Sequence, residues 1–160
     1  MDLKIRQKTL RMLTNGIYIM TSRNGDRYGG ATVTWVSQAS FKPPMIMAAV
    51  RRESNVFQCL SKSGVAALHI LGCDQQDVAQ RFFAPTKICC GRMNGEPFAD
   101  GRTSAPILEN APAYVECQVR RILEEGAGDH AIVIMEVLES ECSKQVRPLT
   151  IAESPWEYGG

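Results

Sequence analysis

The stretch from Gly16 to Phe41 constrains this chain most. It reads GIYIMTSR, then NGD, then, after Arg27, YGGATVTWVSQASF. An Asn-Gly turn between two runs rich in β-branched and aromatic residues is a strong short-range hairpin signal. It makes the two runs antiparallel neighbours, joined without a crossover helix. The second run is unusual. Thr32, Val33 and Thr34 alternate as a half-buried strand should. Ser37, Gln38 and Ser40 then stay small and polar, and the run closes on Pro43-Pro44. The reading is one long, bent strand. Its short hydroxyls either face solvent or hydrogen-bond a flat, polar ligand lying along it.

Further elements follow the same logic. Leu3 to Leu13 reads as a short helix of imperfect amphipathic spacing, ended by Thr-Asn-Gly. PMIMAAV is continuously apolar, which predicts a strand buried on both faces. SNVFQCLSKSG predicts a helix capped by Ser54 and ended by Gly64. VAALHIL is a strand, and DQQDVAQRFF a helix with Asp74 as its cap. Residues 84–106 show little periodicity and predict a long surface loop. AYVECQVRRILEE and HAIVIMEVLES are two strands joined around GAGD, with Glu116, Gln118 and Arg120 on a polar face. QVRPLTI predicts a last short strand. Strands joined by turns, with helices inserted singly, predict a mainly β fold closed as a barrel, since closure removes exposed edges.

The 160 residues, 44% hydrophobic and 22% charged, suit one domain over 1–160. A net charge of +1 with scattered Lys and Arg gives no footprint for nucleic acid. No apolar run reaches the ~18 residues of a membrane span, and the charged N-terminus does not resemble a signal peptide. Cytoplasmic placement is expected. The six cysteines include no Cys-x-x-Cys pair and stand beside only two histidines, so free thiols are expected rather than a metal site. The adjacent Cys89 and Cys90 read as ordinary loop thiols or as a redox-active pair.

Two segments carry further chemistry. VRRESN places Arg51 and Arg52 after a strand, and Ser54 and Asn55 at a helix start. The free N–H groups of a helix start, its positive dipole end and a neighbouring Arg suit a phosphate. The same residues also read as an N-cap with solvated arginines. Gly128-Asp129-His130 places a His at a strand opening, where it serves the turn or a second ligand.

Taken in order, GIYIMTS, GATVTWVSQASFKPPMIMAAV, SNVFQCLSKSG, VAALHIL, AQRFF and GDHAIVIMEVLE resemble the flavin reductase-like family. The resemblance runs from about Leu10 to the end of the chain. It implies the FMN-binding split barrel, a Greek-key antiparallel barrel, and a homodimer. It implies flavin contacts from Thr32, Val33, Thr34, Trp35, Ser37, Gln38, Ala39 and Ser40. It implies a phosphate grip by Arg51, Ser54 and Asn55, and flavin proximity for Arg81 and Phe82. His130 is implied to contact the nicotinamide and so to be the catalytic residue. Many relatives carry Asn where this chain has Thr34, which removes an amide donor. The implied activity is hydride transfer from NADH or NADPH to FMN or FAD, with electrons passing to an acceptor that would be a separate redox partner protein. The alternative is an FMN-binding electron-transfer module, flavoredoxin-like, that serves a protein partner without efficient nicotinamide use.

Overall fold

Asn-Gly-Asp closes the hairpin in the computed structural model, which describes residues 1–160. Strand β1 (Tyr18–Asn24) pairs antiparallel with β2 (Arg27–Val33), and Asn24 faces Arg27 across the turn. Gly25 supplies the positive φ, 59°, that the turn requires. The long bent strand is in fact two. β2 ends at Val33, and β3 (Val36–Ser40) begins beyond Thr34-Trp35. β3 pairs with β4 (Met45–Arg51) at the far end of the same sheet.

The seven-stranded sheet runs β2-β1-β5-β10-β11-β4-β3 and is antiparallel throughout. β5 is Val65–Ile70, β10 Ala113–Leu123 and β11 His130–Cys142. No ladder joins the edge strands β2 and β3; they are linked through Thr34 and Trp35. The sheet nevertheless curls around one core. Val33 of β2, Met20 of β1, Leu68 of β5, Cys117 of β10, Val133 of β11 and Ala48 of β4 meet in a single cluster.

Helix α2 (Asn55–Ser63) packs against this core because Val56, Phe57, Cys59 and Leu60 share its buried face. Its ends follow the sequence reading. Phe57 N–H donates to Ser54 Oγ at 3.2 Å, and Gly64 closes the helix in the left-handed conformation at φ 73°. Such a cap contributes about 1 kcal/mol.

Several expectations are corrected. β4 alternates: Ile46, Ala48 and Val50 are buried, while Met47 is 43% exposed. Its outward side has no covering layer within the chain. Helix α1 stops at Leu10 (Leu3–Leu10) and buries none of its residues. Helix α3 (Gln76–Arg81) has Gln75 rather than Asp74 at its N-cap position, with no side-chain cap. Gln75 Oε1 instead accepts from Gly72 N–H at 2.9 Å. The long loop is folded. It holds β6 (Ile88–Cys89), β7 (Arg92–Met93), β8 (Glu96–Asp100) and β9 (Pro106–Leu108), a small antiparallel sheet anchored by buried Met93 and Leu108. Glu116 is buried, not solvated. Its carboxylate accepts from Thr103 N–H at 2.7 Å, Thr103 Oγ1 at 2.7 Å and Arg102 N–H at 3.2 Å. QVRPLTI forms two isolated bridges, Gly72 to Pro148 and Gly16 to Thr150, rather than a strand.

No helix is long and apolar enough to cross a membrane. All six cysteines are free thiols, and no three His, Cys, Asp or Glu side chains group as metal ligands would.

Candidate functional site

A cleft of about 760 Å³ opens where β2, the start of α2, the end of α3 and the C-terminal segment meet. That volume matches a cofactor-sized ligand. One wall is β2, through Gly30, Ala31, Thr32 and, just past its end, Thr34. A second is Arg51, Glu53, Ser54 and Asn55, the end of β4 and the start of α2. A third is Phe82 to Thr86, and Ile151, Trp156 and Tyr158 close the fourth side.

Local folding explains each wall. Gly30 carries no side chain because a Cβ there would stand 2.6 Å from Met93 Sδ and 3.0 Å from the Phe82 ring. Thr86 Oγ1 accepts from Gly30 N–H at 3.0 Å and fixes the third wall against β2. Thr32 directs its hydroxyl to Ala79 O at 2.7 Å, so that group is occupied. Thr34 differs: its hydroxyl oxygen is buried and has no hydrogen-bond partner. A buried hydroxyl without a partner is uncommon and destabilising, by about 1–3 kcal/mol. Its residue lines the cleft.

A smaller space of about 60 Å³ adjoins the cleft and shares Thr32, Thr34, Arg51, Ser54 and Tyr158. Val33, Trp35 and His130 also line it. His130 opens β11 and is largely buried; its Nδ1 lies 2.7 Å from Asp129 Oδ1. That hydrogen bond is the main cause holding the Asp129 carboxyl below its ordinary pKa. The imidazole packs on Trp35 with ring centres 4.8 Å apart, and Trp35 packs on Tyr158 at 5.2 Å. Arg52 donates to Gly128 O, which ties the Gly128–His130 turn to the end of β4.

Thr32, Thr34, Arg51, Ser54, Asn55 and Phe82 thus converge on the larger cleft, and Val33, Trp35 and His130 on the smaller. Ser37, Gln38, Ala39 and Ser40 line neither; they lie exposed on β3 at the sheet edge. Arg81 lines neither. Its guanidinium pairs with buried Glu96 and, at 3.6 Å, with Asp77.

The sequence reading missed Phe83, Thr86, Trp156 and Tyr158. Phe83 and Trp156 meet edge to face, with centroids 4.9 Å apart. The available signal was the aromatic content of FFAPT and PWEYGG, two turn-rich segments where isolated aromatics have no core strand to serve. The C-terminal segment is held down by Arg11, which donates to Glu157 Oε2 at 2.6 Å and to Gly159 O at 3.0 Å.

Residues 10–155 match the model of the flavin reductase like domain. The chain belongs to the flavin reductase-like family. It is 30% identical over 141 residues to the NADPH-flavin oxidoreductase of Streptomyces viridifaciens, covering 87% of this chain and 72% of that protein. It is 30% identical over 139 residues to diflavin flavoprotein A 1 of Synechocystis sp. PCC 6803, covering 86% of this chain. The match spans only 24% of that longer protein, as it does for a second diflavin flavoprotein from Nostoc sp. PCC 7120. Among solved structures, the flavin reductase domain protein from Arthrobacter sp. FB24 superposes with a TM-score of 0.81 at 25% identity, over 97% of this chain and 98% of that one. The flavin reductase component of a bacterial two-component tryptophan halogenase superposes at 0.76 and 24% identity, over 92% and 91%.

Proposed function

We propose that this protein is a flavin reductase that binds FMN in the large cleft and takes hydride from NADH or NADPH. The observation that carries this reading is the cleft itself. It sets an unpartnered buried hydroxyl, Thr34 Oγ1, between a helix start flanked by an arginine and walls of aromatic rings. These residues fit a flavin mononucleotide: apolar area for a ring system, a lone polar group within it, and a cationic end for a phosphate.

Bound flavin supplies the hydride acceptor, and the protein supplies orientation and electrostatics. Arg51, Ser54 and the first N–H groups of α2 hold the phosphate. Gly30, Ala31 and Thr32 give the ring system a close backbone wall. Thr34 donates its hydroxyl to a ring acceptor. His130, fixed by Asp129 and Trp35, orients the nicotinamide as the catalytic contact from beside the cleft. Val33, Asn55 and Phe82 shape the walls. Ser37, Gln38, Ala39, Ser40 and Arg81 do not face the cleft within one chain, so any flavin contact from them requires the dimer. We further infer one domain over 1–160 with a Greek-key split barrel whose split lies between β2 and β3. We also infer a homodimer that covers exposed Met47, Phe41 and Leu138 on or beside β3, β4 and β11. The halogenase reductase component suggests that reduced flavin or its electrons pass to a separate protein.

The test compares FMN with riboflavin by fluorescence titration. Arg51→Ala removes charge-assisted hydrogen bonds of about 1.5–3 kcal/mol, which is about 10–150-fold in FMN affinity. Riboflavin, which lacks the phosphate, should change less than twofold. Equal losses would place the phosphate elsewhere. Flavin bands that bleach on anaerobic addition of NADH or NADPH would separate a reductase from an electron-transfer module, whose bands would bleach only with dithionite.

A further inference from the structure

Cys89 and Cys90 stand at the tip of the β6–β7 hairpin, in the small sheet and outside both cavities. Consecutive side chains on a strand point to opposite faces. Here they do not. Cys89 pairs with Arg92 across a two-residue turn formed by Cys90 and Gly91, with φ of 55° and 72°. Two positive φ values describe a type I′ turn, whose first position belongs by preference to Asn, Asp or Gly. A cysteine in that conformation breaks a local rule, and rules broken in this way concentrate at functional sites. Its consequence is specific: both thiols come to one side, with the sulfurs 3.3 Å apart and exposed.

The support below the turn is rigid. Met93 is fully buried. Asn94 N–H donates to Lys87 O at 2.9 Å, and Lys87 N–H donates back to Asn94 Oδ1 at 2.7 Å. Phe98 N–H donates to Gly91 O at 3.4 Å. The two sulfurs are therefore preorganised.

We propose that Cys89 and Cys90 form a two-thiolate site for a trivalent arsenical carrying one organic substituent. Bonds of about 2.3 Å, the length of a thiolate bond to a soft metal such as zinc, set at about a right angle, hold two sulfurs about 3.3 Å apart. A structural zinc needs four protein ligands, and no third His, Cys, Asp or Glu joins this pair. A monosubstituted arsenical requires only two. The reaction balances without electron transfer. The arsenic(III) oxide loses its oxygen as water, which carries off both thiol protons, and two As–S bonds form.

The probe is phenylarsine oxide, added to the reduced full chain. Reactive thiols are then counted among exposed Cys73, Cys89, Cys90 and Cys142. One equivalent should protect two of them, and 2,3-dimercaptopropanol should restore both. Cys90→Asn keeps the turn with a residue that prefers it, so folding is not at issue. That variant and Cys89→Ser should each raise the midpoint of protection at least tenfold, while Cys142→Ser should leave it unchanged. A midpoint within twofold of the parent in either Cys89→Ser or Cys90→Asn would overturn the proposal. So would a single equivalent that protects no thiol.

Discussion

His69 makes the stability of this fold depend on pH below neutrality. It sits in the middle strands of the sheet, fully buried, on β5. Leu108 N–H donates to its Nε2 at 3.0 Å, so Nε2 is the acceptor and carries no proton. Its Nδ1 lies 3.0 Å from Ile19 O, and must therefore be the N–H that donates there. The neutral ring is satisfied at both nitrogens, and a protonated ring would lose the Leu108 bond and lie desolvated. Burial lowers the folded pKa from 6.5 to about 4. The unfolded chain then binds more protons between those two values, so stability falls as pH drops through about 6.5 and levels off near 4. Between pH 7 and pH 5 the loss is about 2 kcal/mol. For a domain of this size that lowers Tm by about 4–8 °C. Thermal melts at pH 7 and pH 5 of the parent and of His69→Gln would measure it. Glutamine can donate and accept as the neutral ring does but does not titrate. It should remove most of the slope, whatever it does to absolute stability. An unchanged slope in His69→Gln would refute the assignment of the pH dependence to this ring.

Three further outcomes follow from the site. Thr34→Val removes the unpartnered hydroxyl, so stability without flavin should hold or rise, while flavin affinity falls by about 1 kcal/mol, roughly fivefold; paired melts and titrations read both. Gly29→Ala should destabilise the fold by at least the ~1–3 kcal/mol of overpacking, because its Cβ would stand 2.5 Å from the Val56 Cα, which is backbone and cannot rotate away; a denaturant midpoint equal to the parent's would contradict this. His130→Ala should slow anaerobic reduction by nicotinamide about tenfold or more while flavin affinity stays within about twofold, since a positioned group in such a step contributes on this scale or above. If both readouts fell together, His130 would be a structural residue.

Much of the scaffold was legible because its signals are local. Asn-Gly names a hairpin, Ser54 and Gly64 bracket α2, and the apolar spacing of Val56, Phe57 and Leu60 names the face it buries. That Arg51, Ser54 and Asn55 share one wall of the cleft was legible for the same reason: strand end and helix start are adjacent in sequence. What failed was long range. Glu116 looked solvated because alternation alone cannot reveal Thr103 folding back over it. Residues 84–106 looked like a loop because strands of two residues leave no periodicity, though Met93 and Glu96 are buried. The aromatic walls at Phe83, Trp156 and Tyr158 join segments about seventy residues apart, and nothing in either segment names the other.

The polar run after Gly29 shows how one misreading conceals the logic of the site. Thr34, Trp35 and Val36 all favour extended backbone, and neither Gly nor Pro marks a break, so period-two alternation passes straight through them. The chain nevertheless leaves one edge of a seven-stranded sheet there and joins the other. Ladder pairing lapses across the two residues, except that Trp35 O accepts from Ala49 N–H at 2.9 Å. Side chains before the break, Thr32 and Thr34, face the cleft; those after it, Ser37 to Ser40, lie on the exposed edge of β3. The small polar residues therefore answer two different demands. Before the crossing they line the cleft with backbone and one unpartnered hydroxyl. After it they keep an edge strand hydrophilic, which discourages uncontrolled pairing. Thr34 belongs to the first group because it sits at the crossing itself and lines the cleft, its hydroxyl without a hydrogen-bond partner.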